Sequence, residues 1–128
     1  MKTAVITGAS SGLGREFVRQ FHSVFPEVER AWLIARRADR LQELAEQLEK
    51  VGVSTLVLPL DLCDTMSFTA YHEHLVEEQP EIILLVNSAG CGYLGNIGEI
   101  DTVSQTRMID LNLRALTAIT NLSVPYME

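Results

Sequence analysis

The sequence predicts an α/β fold, one parallel sheet with helices on both of its faces. Three observations carry this prediction. Short β-branched apolar runs alternate four times with helical stretches. Residues 82–86 (Ile-Ile-Leu-Leu-Val) are apolar without alternation, as in a strand covered on both faces. The chain has 128 residues, 47% of them apolar, enough for one core and one domain. Residues 1–128 are therefore read as a single domain, without internal repeat or linker.

The first strand is expected at 3–7, ending at Gly8. From Leu13 the apolar period changes to that of a helix. Leu13, Phe17, Phe21, Val24 and Phe25 fall on its inner face, and Pro26 lies past its end. A second strand, 31–35, is cut off by Arg36-Arg37. Asp39 opens a second helix, with Leu41, Leu44, Ala45, Leu48 and Val51 inward and Gly52 closing it. The third strand is 53–60. Asp64 is the expected cap of a third helix that turns Phe68, Tyr71, Leu75 and Val76 inward, and Pro80 closes it. The fourth strand, 82–86, leads into a glycine-rich loop, 90–98, and then into one long helix, 103–122. Met108, Leu111, Ala115, Ile119 and Leu122 form one face of that helix. Ile109, Leu113, Leu116 and Ala118 widen its apolar surface, which predicts cover on both sides. Right-handed crossovers between successive strands make the sheet parallel.

Composition excludes some partners. The formal charge is −7, which argues against a nucleic-acid backbone or an anionic membrane. The longest strongly apolar run is too short to span a bilayer, and no secretory signal is read at the N-terminus. Cys63 and Cys91 stand in no metal-ligand spacing and are read as free thiols in a reducing cytoplasm. His72 and His74 point to different faces of a helix, so no metal site is expected.

The segment between the first strand and the first helix carries the chemistry. It reads Thr7-Gly8-Ala9-Ser10-Ser11-Gly12-Leu13-Gly14. Gly8 permits a tight turn, Gly12 lets a pyrophosphate approach the backbone, and Gly14 lets the helix pack close to the strand. The helix start offers unpaired N–H groups and partial positive charge to phosphates.

This segment resembles the Thr-Gly-x-x-x-Gly-x-Gly cofactor signature of the short-chain dehydrogenases/reductases. Three further segments resemble that family in the same order. Asp61-Leu62 follows the third strand. Asn87-Ser88-Ala89-Gly90 follows the fourth and is similar to the family's Asn-Asn-Ala-Gly. Asn112 lies in Asp110-Leu111-Asn112-Leu113 and matches an asparagine of the catalytic tetrad. The resemblance implies a Rossmann-type sheet of order 3-2-1-4, truncated here after about four strands. It also implies hydride transfer between a nicotinamide cofactor and a carbonyl or alcohol. By resemblance, Gly8, Ser10, Ser11, Gly12, Leu13 and Gly14 border the cofactor. Asp61 bonds the adenine amino group beside the Leu62 backbone, and Asn87, Ala89 and Gly90 pass near a ribose. Loop 91–98 faces the substrate.

The end of the second strand decides between the two nicotinamide cofactors. A carboxylate there would accept bonds from the adenosine ribose hydroxyls and select NAD(H). The chain has Ala35 followed by Arg36 and Arg37. A guanidinium fork holds a 2′-phosphate that a carboxylate would repel. NADP(H) is therefore expected over NAD(H), with Arg36 on the phosphate and Arg37 in support.

The family's proton donor is a tyrosine with a lysine four residues later, and a serine polarises the carbonyl. The only lysines here are Lys2 and Lys50, both before every tyrosine. Asn112 alone matches the tetrad, so the 128 residues are expected to bind cofactor without turnover. The other reading is a non-catalytic NADP(H)-binding module, or a half-fold needing a partner chain. The broad apolar surface of helix 103–122 also suggests pairing with a second copy.

Overall fold

A computed structural model describes residues 1–10, 12–92, 95–96 and 98–127. Strands β1 (Lys2–Thr7), β2 (Arg30–Ala35), β3 (Ser54–Pro59) and β4 (Glu81–Asn87) form one sheet of order β3-β2-β1-β4. Every pairing is parallel, with Val5 opposite both Trp32 and Leu85. The register of β1 against β4 shifts between Thr3 and Ala4, so Ile83 is stepped over. The crossovers are α1 (Gly12–Val24), α2 (Ala38–Lys50) and α3 (Met66–Glu78). The last segment is α4 (Thr102–Ile109), a π-helical stretch Asp110–Ala115, α5 (Leu116–Ser123) and a closing 3₁₀ turn, Val124–Tyr126.

Strand alternation divides the core into two layers. Ala4, Ile6, Ala31 and Leu33 face α1 and α2, where Val18, Phe21, Leu41 and Leu44 meet them. Val5, Trp32, Ile34 and Leu58 face α3, the π-helical stretch and α5, against Tyr71, Leu75, Ala115 and Ile119. Trp32 and Tyr71 pack edge to face at 5.9 Å. The Tyr71 hydroxyl lies 2.7 Å from Ser123 Oγ, whose own proton goes to the Ile119 carbonyl. Tyr71 is thus the donor in that pair. Burial pushes its pKa up to about 12.

Four expected details differ. The inner line of α1 is Gly14, Val18 and Phe21, while Leu13, Phe17 and Val24 are exposed. The backbone contact at Gly14 sets the rotation of this helix, and the larger side chains turn outward. Val51 and Val76, at the ends of their helices, are likewise exposed. Asp64 accepts from the Met66 amide at 2.9 Å, with Thr65 between it and the helix. The long final helix is interrupted by its π-helical middle, a change of period that a continuous apolar stripe does not signal.

Candidate cofactor site

The ends of the strands converge on a cleft of about 260 Å³. Gly8 and Ser10 come from beyond β1, Ala35 from the end of β2 and Arg36 from beyond it, Asp61 and Leu62 from beyond β3, and Ser88 to Gly90 from beyond β4. The carboxyl ends of parallel strands, where the strand order reverses, are where such sheets bind ligands.

Thr7 fixes the floor of the cleft. Its hydroxyl donates to the Val86 carbonyl at 3.4 Å and accepts from the Ser88 and Ala89 amides, each at 3.1 Å. The ends of β1 and β4 are thereby tied together. Close approach explains two glycines. A methyl at Gly8 (φ +63°) would lie 2.6 Å from the Ser88 carbonyl oxygen, and one at Gly14 would overlap the Gly8 carbonyl. Gly12 is different, because a methyl there would meet nothing within 4 Å and would project into open space. Its φ of +56°, in the left-handed region, is what favours glycine there. Ser10 lines the cleft, Leu13 is exposed at the start of α1, and Ser11 lies outside the described residues.

The wall beyond β2 is basic. Arg36, Arg37 and Arg40 all line the cleft. Arg37 is engaged locally: its Nε and Nη2 donate to the two Asp39 carboxylate oxygens, each at 3.3 Å. This pairing holds the Asp39 carboxyl below its usual range. Among the described residues neither Arg36 nor Arg40 has an ion pair. Arg40 and Arg15 also flank Ser10 in a smaller adjoining polar hollow. Sequence reasoning missed Arg40 and Arg15. Arg40 lies in the first turn of α2, which begins at Ala38.

Asp61 lies opposite this basic wall. Its Oδ1 accepts from the Cys63 amide at 3.0 Å, and its backbone carbonyl accepts from Ser67 Oγ at 2.6 Å. Burial pushes the Cys63 thiol pKa up. Leu62 is buried beside Ile34. Arg107 of α4, also missed from the sequence, completes this side, with Nη2 3.9 Å from Asp61 Oδ2.

Two of the predicted residues face elsewhere. Asn87 turns its amide toward α5 and donates to Thr120 Oγ1 at 3.0 Å. Asn112, in the π-helical stretch, clamps the backbone of Cys91. It accepts from the Cys91 amide at 2.8 Å and donates to the Cys91 carbonyl at 2.7 Å. Its amide therefore anchors the start of the loop after β4. Ala89 and Gly90 border the cleft.

An open parallel sheet with a glycine turn beneath the first helix is the architecture of the dinucleotide-binding α/β proteins. Comparison with known proteins sharpens the class. The short chain dehydrogenase family matches residues 2–128, and the chain belongs to that family of oxidoreductases, which bind nicotinamide cofactors. The NADP-dependent 3-hydroxy acid dehydrogenase of Schizosaccharomyces pombe is 35% identical over 127 residues, covering 97% of this chain and 48% of that protein. Dehydrogenase/reductase SDR family member 7B of Danio rerio is 33% identical, over 98% of this chain and 42% of that protein. A short-chain dehydrogenase from Sphingobium yanoikuyae, solved in complex with NADPH, superposes with a TM-score of 0.84 at 31% identity. It matches 98% of this chain and 48% of its own. The chain thus spans about half the length of the relatives it matches. No helix among the described residues is long and apolar enough to cross a membrane.

Proposed function

We propose that this chain is the cofactor-binding portion, a single domain, of an NADP(H)-dependent oxidoreductase that interconverts a carbonyl and an alcohol. The observation that carries the reading is the wall beyond β2. It presents Ala35 in place of a carboxylate, with Arg36 and Arg40 on the cleft and without ion pairs among the described residues. Two guanidinium groups suit a phosphate monoester on the adenosine ribose. The open space at Gly12 and the start of α1 fit the pyrophosphate between Gly8, Ser10, Leu13 and Gly14. Ser11 is assigned to the same turn. Arg37 is the weaker contributor, because Asp39 already occupies it. Asp61 and Leu62 take the adenine, and Ala89 and Gly90 the ribose toward the reacting end.

When bound, the nicotinamide supplies or accepts the hydride. The residues of this chain bind and orient it. Asn112 is the catalytic candidate, and it serves by holding the loop at Cys91 in place. Proton transfer is assigned to groups outside these residues, because no tyrosine here is followed by a lysine four positions on. The 128-residue polypeptide is accordingly expected to show no carbonyl reduction. The bare outer edge of β4 and the exposed Ile109, Leu113 and Leu116 support a second reading, a non-catalytic half-fold completed by another chain. Turnover by the whole protein would exclude it. The same helix face is proposed to meet a second copy, and the free thiols fit a cytoplasmic setting.

Calorimetric titration of the purified protein with NADPH and NADH tests the reading. NADPH is expected to bind at least about tenfold more tightly, as suits one or two charge-assisted contacts. Equal affinities would overturn the cofactor assignment, and no binding of either would overturn the site.

A further inference from the structure

Arg107 stands in the cleft wall for a reason that helix stability does not supply. Its nearest acidic neighbour along the helix is Asp110, but Arg114 takes that carboxylate at 3.3 Å. Arg107 instead points from α4 to Asp61, beyond β3, on the same side of the cleft. An ion pair that is more than a third exposed on each side and 3.9 Å long adds little to folding. Its consequence is local. Asp61 Oδ1 is held by the Cys63 amide, and Oδ2 faces the Arg107 guanidinium. The amide holds one oxygen by a hydrogen bond, and the guanidinium, from α4, draws the other toward it by charge. Each carboxylate oxygen retains acceptor capacity, so a planar amino group entering beside Leu62 and Ile34 meets an acceptor already aimed. At 3.9 Å the guanidinium is within an ion pair but outside a hydrogen bond. A small movement of α4 toward a bound base would close it.

We infer that Arg107 is a positioning residue for base recognition, holding the Asp61 carboxylate toward the exocyclic amino group of a bound adenine. This rests on the cofactor reading above and adds a selectivity that the arginines beyond β2 do not provide. Arg107 acts at the base, Arg36 and Arg40 at the phosphate.

The test compares NADPH with its hypoxanthine counterpart, which carries a carbonyl oxygen in place of the 6-amino group. Both are titrated calorimetrically into the whole protein and into its Arg107→Gln and Arg107→Lys variants. The wild type is expected to prefer the adenine form by about tenfold or more, the scale of one hydrogen bond to a charged group. Arg107→Gln should reduce that preference to about twofold or less, chiefly by weakening the adenine form. Arg107→Lys, which keeps the charge, should restore part of it. An equal loss for both ligands in Arg107→Gln would overturn the inference in favour of direct stacking on the base. An unchanged preference would overturn it in favour of a solvated surface pair. Failure of the wild type to bind either dinucleotide would instead refute the cofactor reading. A matching thermal midpoint for the three proteins separates these outcomes from misfolding.

Discussion

The two sides of the sheet's centre are β1 with its glycine turn and β4 with the last helix, and β4, though the more apolar strand, is the less covered of the two. Ala4, Val5 and Ile6 are wholly buried, flanked by β2 and β4 and covered by helices on both faces. The turn after β1 is so closely packed that Gly14 has no room for a methyl. β4 is paired on one side, and Ile83 to Val86 are only half-buried. The last helix buries Ala115 and Ile119 and leaves Ile109, Leu113 and Leu116 exposed. Apolar content alone therefore does not say how firmly a segment is held. Neighbours on both sides do, and the candidate cofactor site leans on the side that has them.

Substitutions on the two sides should expose this contrast. The largest effect is expected at Gly14→Val, whose side chain would be driven into the Gly8 carbonyl. Overpacking commonly costs ~1–3 kcal/mol, and a collision with backbone should exceed that range. The urea midpoint should fall sharply, or the protein should not fold. A midpoint near that of the wild type would mean that α1 is free to move away from β1.

Next comes a pair on the last helix. Ile119→Ala removes a fully buried side chain and should cost about 2–5 kcal/mol. Leu113→Ala, on the exposed face, should stay within about 0.5 kcal/mol in the protein when monomeric. Comparable losses in dilute solution would show that the outer face is covered in the monomer as well.

A smaller loss than at Ile119 is expected at Tyr71. Its hydroxyl donates to Ser123, and its pKa is raised from the usual 10 to about 12, chiefly by burial. A raised pKa means that the fold favours the neutral phenol. This stabilisation is complete below pH 10 and is lost as pH rises toward 12. Tyr71→Phe should cost about 1 kcal/mol near neutrality. It should also flatten the fall in stability between pH 10 and 12, as read by urea denaturation. An identical alkaline fall in wild type and variant would place its cause elsewhere.

The contrast also marks what the sequence reveals. Strand and helix order are legible because each element repeats its own period. The glycine turn is legible because its residues are adjacent in the chain. The rotation of α1 is not, because the decisive contact at Gly14 involves a missing side chain, and the bulkier Leu13 and Phe17 mimic a core face. The π-helical stretch around Asn112 is hidden by an apolar stripe that runs straight through it. The sequence ranks Arg36 above Arg37 on the phosphate, and the Asp39 contact that occupies Arg37 is not legible from spacing alone. Arg107 meets Asp61 across 46 positions of chain, a pairing that local spacing does not signal.

The central claim is that the cleft holds NADP(H) through the arginines beyond β2. Its most direct test is calorimetric titration of the wild type, Arg36→Ala and Arg37→Ala with NADPH and with NADH. Arg36→Ala should weaken NADPH about tenfold or more, the scale of a lost charged hydrogen bond, with little change for NADH. Arg37→Ala should change either cofactor by much less. Equal loss of NADPH and NADH in Arg36→Ala would contradict the account, because Arg36 would then contact something that the two cofactors share.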